Sequence, residues 1–349
     1  MNILITGITG RIGANIAKFF LEKGHNVTGF VWAKDKQSEK MSLIGAKIIE
    51  GDLSNFEDVV SAFKDQDIIF HLGAAFQSGG PFSPNQYFDI NVKGTFNILE
   101  SASRYKNNLK HLIIASSDAT VFKYPFNGIK NPIKEDSLPQ NITDWYGYSK
   151  ILTENIANRF YSAEKLPVTI IRFAMVWGAG EILNFNQFYT RHFIDQFSKD
   201  VDLKNKTFDS RMVIIRELNH LLNEGKELII ACDKNGRPWK KHVMDIRDII
   251  QAFEKIIGVK KTFGETYQIA GKSPFTWDEV IPYIGSKINK NHCRVKLPIN
   301  PTFYEFDLTK AFNDFNYSPE WDVRMMIDDA VEFLDTHKGS IIPTVYETN

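Results

Sequence analysis

The sequence predicts an α/β protein: a doubly wound parallel sheet with a smaller C-terminal lobe. Short apolar runs alternate with amphipathic stretches from Met1 to Phe173. A glycine triplet joins the first run to the first amphipathic stretch. After Gly178 the alternation gives way to a mixed aromatic and charged passage. Strand and helix in strict alternation mean parallel strands with helices on both faces.

Ile3, Leu4 and Ile5 form a buried first strand, and Gly7, Gly10 and Gly13 follow it at every third position. Ile12, Ile16, Phe19 and Phe20 then line one face of a helix. Glycines between a strand and a helix allow a tight turn and close backbone approach to a pyrophosphate. The helix N-terminus then offers unpaired N–H groups to the phosphates. Gly24 closes this helix and Val27–Val31 is the second strand.

Residues 48–53 read as a third strand, and Phe56, Val59, Val60 and Phe63 as one face of a helix. Asp67–Leu72 is a fourth strand running into Gly73-Ala74-Ala75, and Tyr87–Lys106 is one long helix. His111–Ser116 is the fifth strand, Tyr146–Tyr161 a helix and Val168–Phe173 the sixth strand. Further on, 228–232 and 267–270 read as strands, and 245–257 and 276–288 as helices. Residues 1–175 are therefore expected to form the dinucleotide-binding domain and 176–349 most of the smaller lobe. Segments near 228–257 are expected to return to the first domain.

The chain has 349 residues and a formal net charge of zero, with no long basic run, which argues against nucleic-acid binding. Its two cysteines, Cys232 and Cys293, build no disulfide framework. No apolar run approaches a membrane span, and the N-terminus enters a strand directly. A soluble, cytoplasmic protein without membrane association is expected. No His/Cys cluster points to a metal, so His71, His111 and His242 are expected in the core. The aromatic group Phe185, Phe188, Tyr189, Phe193 and Phe197 reads as core, with a pocket lid as the alternative.

Tyr146 and Lys150 stand one helical turn apart on a shared face. A lysine ammonium beside a phenol would lower its pKa from about 10, making it a usable acid or base. With these residues in view, the chain resembles the extended short-chain dehydrogenases/reductases, the NAD-dependent epimerase/dehydratase class, over nearly its whole length. The resemblance rests on Thr6-Gly7-Ile8-Thr9-Gly10-Arg11-Ile12-Gly13, on Asp52-Leu53, on His71-Leu72-Gly73-Ala74-Ala75 and on Asn91-Val92-Lys93-Gly94-Thr95. It extends through Ser116-Ser117, Tyr146 with Lys150, Arg172–Gly178, the passage at Asp245 and the passage 307–319.

The resemblance implies a Rossmann-type fold and hydride transfer on a sugar-like, nucleotide-linked substrate. Tyr146 would be the acid/base, Lys150 would hold the nicotinamide ribose, and Asn91 would support the active-site helix. Asp52, Leu53, Gly73, Ala74 and Ala75 would line the cofactor. A homodimer is expected by the same analogy.

Several residues depart from the family pattern. The catalytic hydroxyl position falls on Ser117 in one register and on Asp118 in another; Ser117 is favoured because a carboxylate would repel a developing alkoxide. Ala119 stands where a dehydratase has its glutamate, which disfavours dehydration. Met175 replaces a substrate-binding asparagine, and a thioether cannot make an amide's hydrogen bonds. Arg237 resembles an arginine set against a diphosphate. The second strand closes on Val31 rather than an acid, while Lys34, Lys36 and Arg11 offer partners for a 2′-phosphate; NADP is favoured over NAD. An epimerase and a reductase remain open, with an NADPH-dependent carbonyl reductase of a non-sugar substrate and a non-catalytic dinucleotide sensor as the alternatives.

Overall fold

The structure, a computed structural model, describes residues 1–33, 35–76, 80–137, 142–199, 210–337 and 339–345. β1 (Asn2–Thr6) enters the glycine turn, α1 (Arg11–Glu22) leaves it, and β2 (Asn26–Val31) returns alongside. α2 (Ser38–Leu43), β3 (Lys47–Glu50) and α3 (Phe56–Ser61) complete the first half. β4 (Ile68–His71) opens the second. α4 (Pro84–Tyr87) runs through a π-helical turn (Phe88–Lys93) into α5 (Gly94–Arg104). β5 (His111–Ser117), α6 (Trp145–Glu164) and β6 (Val168–Phe173) follow.

Beyond them come β7 (Met175–Trp177), α7 (Thr190–Lys199), α8 (Ser210–Asn223) and β8 (Leu228–Cys232). β9 (Lys240–Lys241), β10 (Val243–Asp245), α9 (Ile246–Ile256) and β11 (Thr266–Ile269) are next. β12 (Phe275–Thr276), α10 (Trp277–Ile288), β13 (His292–Lys296), α11 (Thr309–Phe315) and α12 (Val323–Thr336) end the order.

The central sheet has seven parallel strands in the order β11-β6-β5-β4-β1-β2-β3. The chain winds outward from β1 in one direction, then from β4 in the other. The strand order therefore reverses between β1 and β4, where Thr6 sits opposite His71. In such sheets ligands bind in the crevice at the carboxyl ends of the strands at this reversal. One face of the sheet is covered by α1 and α9, whose Ile16, Ile249 and Phe253 meet Ile3, Ile5 and Phe70. The other is covered by α3, α5 and α6 through Val59, Phe63, Leu99 and Phe160.

A second core fills the smaller lobe. Phe188, Phe193, Phe197, Trp239, Phe275 and Trp277 bury against β8 and α10, so the aromatic run is core rather than lid. Two boundaries differ from expectation. The third strand stops at Glu50, because Gly51 starts a turn in which Asp52 caps Ser54. The long helix before β5 is interrupted by the π-helical turn, which carries Asn91.

Of the 228–257 stretch expected to return, β8 does not, whereas β11 beyond it does. α9 and β11 rejoin the main sheet and its core, whereas β8 pairs with β13 in the smaller lobe. An apolar run announces a buried strand without naming its sheet, and here β13 is the partner available inside the second core. Most of the charged passage after α7 lies outside the described residues. Among the described residues, no helix is long and apolar enough to cross a membrane.

Candidate active site

The loops after β1 and β4 meet at the reversal point. Gly7 takes φ +67, and a Cβ there would lie 2.7 Å from the Cα of Gly73. Only glycine allows both the conformation and the approach. Gly13 brings α1 onto the turn; its Cβ would fall 2.3 Å from the Gly7 carbonyl oxygen. Gly10 is the N-cap of α1 and supplies no side chain to satisfy the first-turn N–H groups. The Thr6 hydroxyl ties the floor together, accepting from the Gly73 N–H at 3.0 Å and bonding His71 Nδ1 at 2.8 Å. His71 is buried and bonds Thr95 through Nε2, and burial with the nearby Lys150 lowers its pKa to about 3. It is a neutral strut. His111 and His242 are likewise buried and hydrogen-bonded.

Beside this floor the β2 side holds an acid that the sequence reading missed. Asp35 accepts a 2.5 Å hydrogen bond from the Thr9 hydroxyl and caps the following turn through Gln37 N–H. It lies four residues beyond Val31, past the strand end where an acid was sought. Arg11, the second candidate for a 2′-phosphate, instead pairs with Glu181 at 2.5 Å. Lys34 lies outside the described residues. Of the remaining cofactor candidates, Ile12 stands in the first turn of α1 and Leu53 packs near Gly73 and Gly94. Asp52 is exposed at the rim, where its carboxylate caps Ser54. Ala74 and Ala75 extend from β4, and Ala75 is fully buried.

Asn91 links this loop to the active-site helix. Its amide oxygen accepts from Ala75 N–H at 2.7 Å, and its amide nitrogen donates to Ala75 O and to Ser149 Oγ. Ser149 in turn donates to the Tyr146 carbonyl at 2.7 Å. The π-helical turn aims Asn91 at both partners. Tyr146 is thus held at the first turn of α6, whose N-cap Asp144 accepts from Gly147 N–H.

Burial raises the pKa of the Tyr146 phenol, with nearby Asp118, Asp144 and Tyr87 adding to the rise and the neighbouring Ser117 hydroxyl opposing it. The expected depression by Lys150 is therefore not what this geometry produces. Lys150 donates to the Ala115 carbonyl at 2.8 Å, and burial lowers its own pKa to about 8. Behind it lies a network not anticipated from sequence. Glu154, one turn further along α6, accepts from Nε and Nη2 of Arg172 at 2.9 and 2.7 Å and from the Ser116 hydroxyl at 2.5 Å. The i+4 step from Lys150 was its only signal in the sequence.

Ser117 ends β5, accepts from Ala119 N–H and donates to Asp118 Oδ1 at 3.4 Å, while the other Asp118 oxygen meets Lys123 in a buried 2.8 Å ion pair. Met175 lies on β7, 36% exposed. Arg237 is engaged within its own turn: it pairs with Asp233 at 3.0 Å, donates to Asn127 O and covers the Phe303 ring. The structure thus brings together Gly7, Gly13, Gly73, Ala75, Asn91, Ser117, Tyr146 and Lys150, and leaves Arg237 bracing a loop.

Residues 3–270 match the model of the NAD dependent epimerase/dehydratase family. Protein CapI of Staphylococcus aureus is 24% identical over 97% of this chain and 100% of that protein. A UDP-glucose 4-epimerase of Mycoplasma genitalium is 32% identical over 53% of this chain and 55% of that protein. Among solved structures, an NAD-bound short-chain dehydrogenase/reductase superfamily protein of Agrobacterium tumefaciens superposes with a TM-score of 0.78. It is 23% identical and covers 97% of this chain and 98% of that one. The UDP-glucuronic acid 4-epimerase of Bacillus cereus gives 0.71 at 19% identity, covering 97% and 100%.

Proposed function

The chain belongs to the NAD-dependent epimerase/dehydratase family, enzymes of the extended short-chain class, and from that premise we propose that it oxidises and re-reduces a hydroxyl on a nucleotide-linked sugar. The observation that carries this is the buried Tyr146 phenol with the Ser117 hydroxyl near it, Lys150 one turn on and the Gly7–Gly73 floor beside it.

The glycine floor fits a dinucleotide, since side chains at Gly7 or Gly13 would fill the cradle with carbon. Gly7, Thr9, Gly10, Ile12 and Gly13 would hold the pyrophosphate, Asp52 and Leu53 the adenine side, and Gly73, Ala74 and Lys150 the nicotinamide half. Asp35 supports NAD over NADP. Its carboxylate beside Thr9 suits ribose hydroxyls and would repel a 2′-phosphate. The Arg11–Glu181 pair removes one cation on which the NADP expectation rested. When bound, the nicotinamide supplies the hydride exchange.

Tyr146 keeps its proton at neutral pH because burial penalises the phenolate. It must lose that proton before the cycle begins; as phenolate it would take the proton of the substrate hydroxyl on oxidation and return it to the carbonyl oxygen on re-reduction. Ser117 hydrogen-bonds the same oxygen, and Lys150 adds positive charge beside it. Asn91 keeps the helix and the β4 loop in register. The nucleotide-sugar epimerases among the relatives support the substrate class.

The test is to extract and identify bound dinucleotide from purified protein and to assay it with nucleotide sugars. An epimerase retains NAD through its cycle and interconverts two epimers without added cofactor. Protein that purifies empty and consumes NADPH with a plain carbonyl substrate is a reductase instead. Tyr146→Phe is expected to lower kcat at least 100-fold with dinucleotide still bound, in keeping with typical acid–base contributions. A variant that keeps its activity removes Tyr146 from the chemistry.

We also propose a homodimer through the α5–α6 face, which exposes Phe88, Phe96, Trp145 and Tyr148. Light scattering should give twice the chain mass, and Phe96→Lys should halve it; a wild-type monomer at micromolar concentration defeats this.

A further inference from the structure

The chain does not stay in the smaller lobe after its last helix. α12 packs in the second core through Val323, Met326 and Ile327, and His337 then turns the chain in the left-handed region at φ +53. Residues 339–345 form neither helix nor strand, yet Ile341 is buried in the first core with Ile16 of α1. This segment therefore crosses from the smaller lobe back onto the dinucleotide domain.

Two buried polar side chains grip its backbone there. Asn15 of α1, 2% exposed, accepts from the Ile342 N–H at 2.7 Å and donates to the Ile342 carbonyl at 3.0 Å. The same amide nitrogen donates to the Arg11 carbonyl at 2.9 Å. Lys40 of α2, 5% exposed, donates to the Thr344 carbonyl at 2.8 Å and to the Pro343 carbonyl at 3.4 Å. The Thr344 hydroxyl donates to one oxygen of Glu181 at 2.7 Å, and the other oxygen accepts from Gly178 N–H and pairs with Arg11. Arg11 opens α1 directly after Gly10. Asn15 fixes its carbonyl, Glu181 fixes its guanidinium, and the tail holds both. α2 follows the Asp35 turn, where the Ser38 hydroxyl donates to the Asp35 carbonyl. Apolar side chains at 15 and 40 would serve packing alone; an amide and an ammonium aimed at the backbone specify where the tail lies.

We propose that residues 339–345 are a clasp that sets how long the dinucleotide stays bound, with Asn15 and Lys40 as its positioning residues. The clasp rests on the dinucleotide reading above and deepens it. The N-terminus of α1 offers its free N–H groups to the pyrophosphate, and the Asp35 turn meets the adenosine ribose. The tail ties these two loops together, and the cofactor leaves between them. A segment without secondary structure, held by a handful of hydrogen bonds, opens locally at far lower cost than the core. It can therefore release both loops while the sheet stays folded. Slow release suits an epimerase, which regenerates its cofactor within each cycle.

The test compares the full chain with a chain ending at Lys338 and with Asn15→Leu. Each is loaded with NADH, and release is followed by stopped-flow fluorescence after excess NAD is added. Truncation should speed release at least tenfold and Asn15→Leu at least fivefold, with a melting transition showing that each variant is folded. Lys40→Met replaces the truncation if the shortened chain does not fold. Coupling is reciprocal, so NAD must tighten the tail by the factor with which the tail tightens NAD. Hydrogen exchange of residues 339–345 in the wild type, read by mass spectrometry well below Tm, should therefore slow at least tenfold in saturating NAD. A tail that serves only the stability of the fold would not respond. Release at the wild-type rate from the folded variants overturns the proposal, and so does tail exchange that NAD leaves unchanged. Wild-type protein that binds neither NADH nor NADPH defeats the dinucleotide reading and the clasp with it. NADH binding with an indifferent tail defeats the clasp alone.

Discussion

Glu154 shows how much of this site depends on residues that never touch the reacting atoms. Its carboxylate neutralises Arg172, receives Ser116 and acts electrostatically on Lys150, raising a pKa that burial lowers. Glu154→Gln leaves a buried guanidinium without its counter-charge, and breaking a buried pair from one side costs about 3–5 kcal/mol. Urea denaturation should show that loss. The alkaline limb of the pH–rate profile should also move to lower pH, because Lys150 loses the group that favours its charged form. A variant as stable as wild type would mean that water already compensates the pair. The Tyr146–Lys150 spacing was legible from sequence as a shared helical face; the direction of each pKa shift was not. Those directions depend on desolvation, which only the folded surroundings impose.

At the scale of elements, the glycine turn separates demands that look identical in sequence. Gly13→Ala drives a Cβ against the Gly7 carbonyl, and Gly7→Ala meets the Gly73 backbone from a positive φ; neither neighbour is a side chain that can move aside. Gly10 has 3.4 Å of clearance at its nearest contact. Gly13→Ala should lower Tm by several degrees and weaken NAD binding at least tenfold, whereas Gly10→Ala should fold with near-normal Tm. Differential scanning fluorimetry with and without NAD checks both, and equal behaviour of the two variants would contradict the packing described. The π-helical turn is a second local device. Asn91→Ala removes the bracket between Ala75 and Ser149 and leaves the buried Ala75 N–H unsatisfied, a cost of about 1–3 kcal/mol. Chemical denaturation measures that loss, and kcat should fall with it as Tyr146 loses its alignment. No pattern of apolar spacing distinguishes this turn from the α-helices on either side.

For the whole molecule, buried neutral histidines tie stability to pH. Burial lowers the pKa of His71 and His111 to about 3 and of His242 to about 4. The unfolded chain protonates these residues near pH 6.5, so it binds more protons than the fold below that value. Their contribution is therefore complete above pH 6.5 and is lost as pH falls toward 4, by about 1.4 kcal/mol per histidine per pH unit. Tm measured from pH 7.5 to 5 should fall, and His242→Gln should flatten the slope by about a third. On the alkaline side the buried lysines act with the same sign. Lys150 and Lys241 have folded pKa values near 8 and 7, so the unfolded state holds more protons up to about pH 10 and stability gains as pH rises through that window. Lys241→Met should remove part of that gain.

The sequence by itself determined the parallel sheet, the dinucleotide turn and the Tyr146–Lys150 pair, because periodicity, glycine spacing and helical geometry are local properties. Tertiary structure alone decided the sheet to which β8 belongs, the acid that reaches Thr9 and the partners of Glu154. Among the described residues it also left the buried Lys241 without a hydrogen bond or ion pair to its ammonium. Asp35 lies beyond its strand and Lys241 in a two-residue strand of the other lobe, so neither falls in the pattern that announces the sheet. Their roles depend on which distant side chains share their space, and on the removal of water that gives those charges their strength.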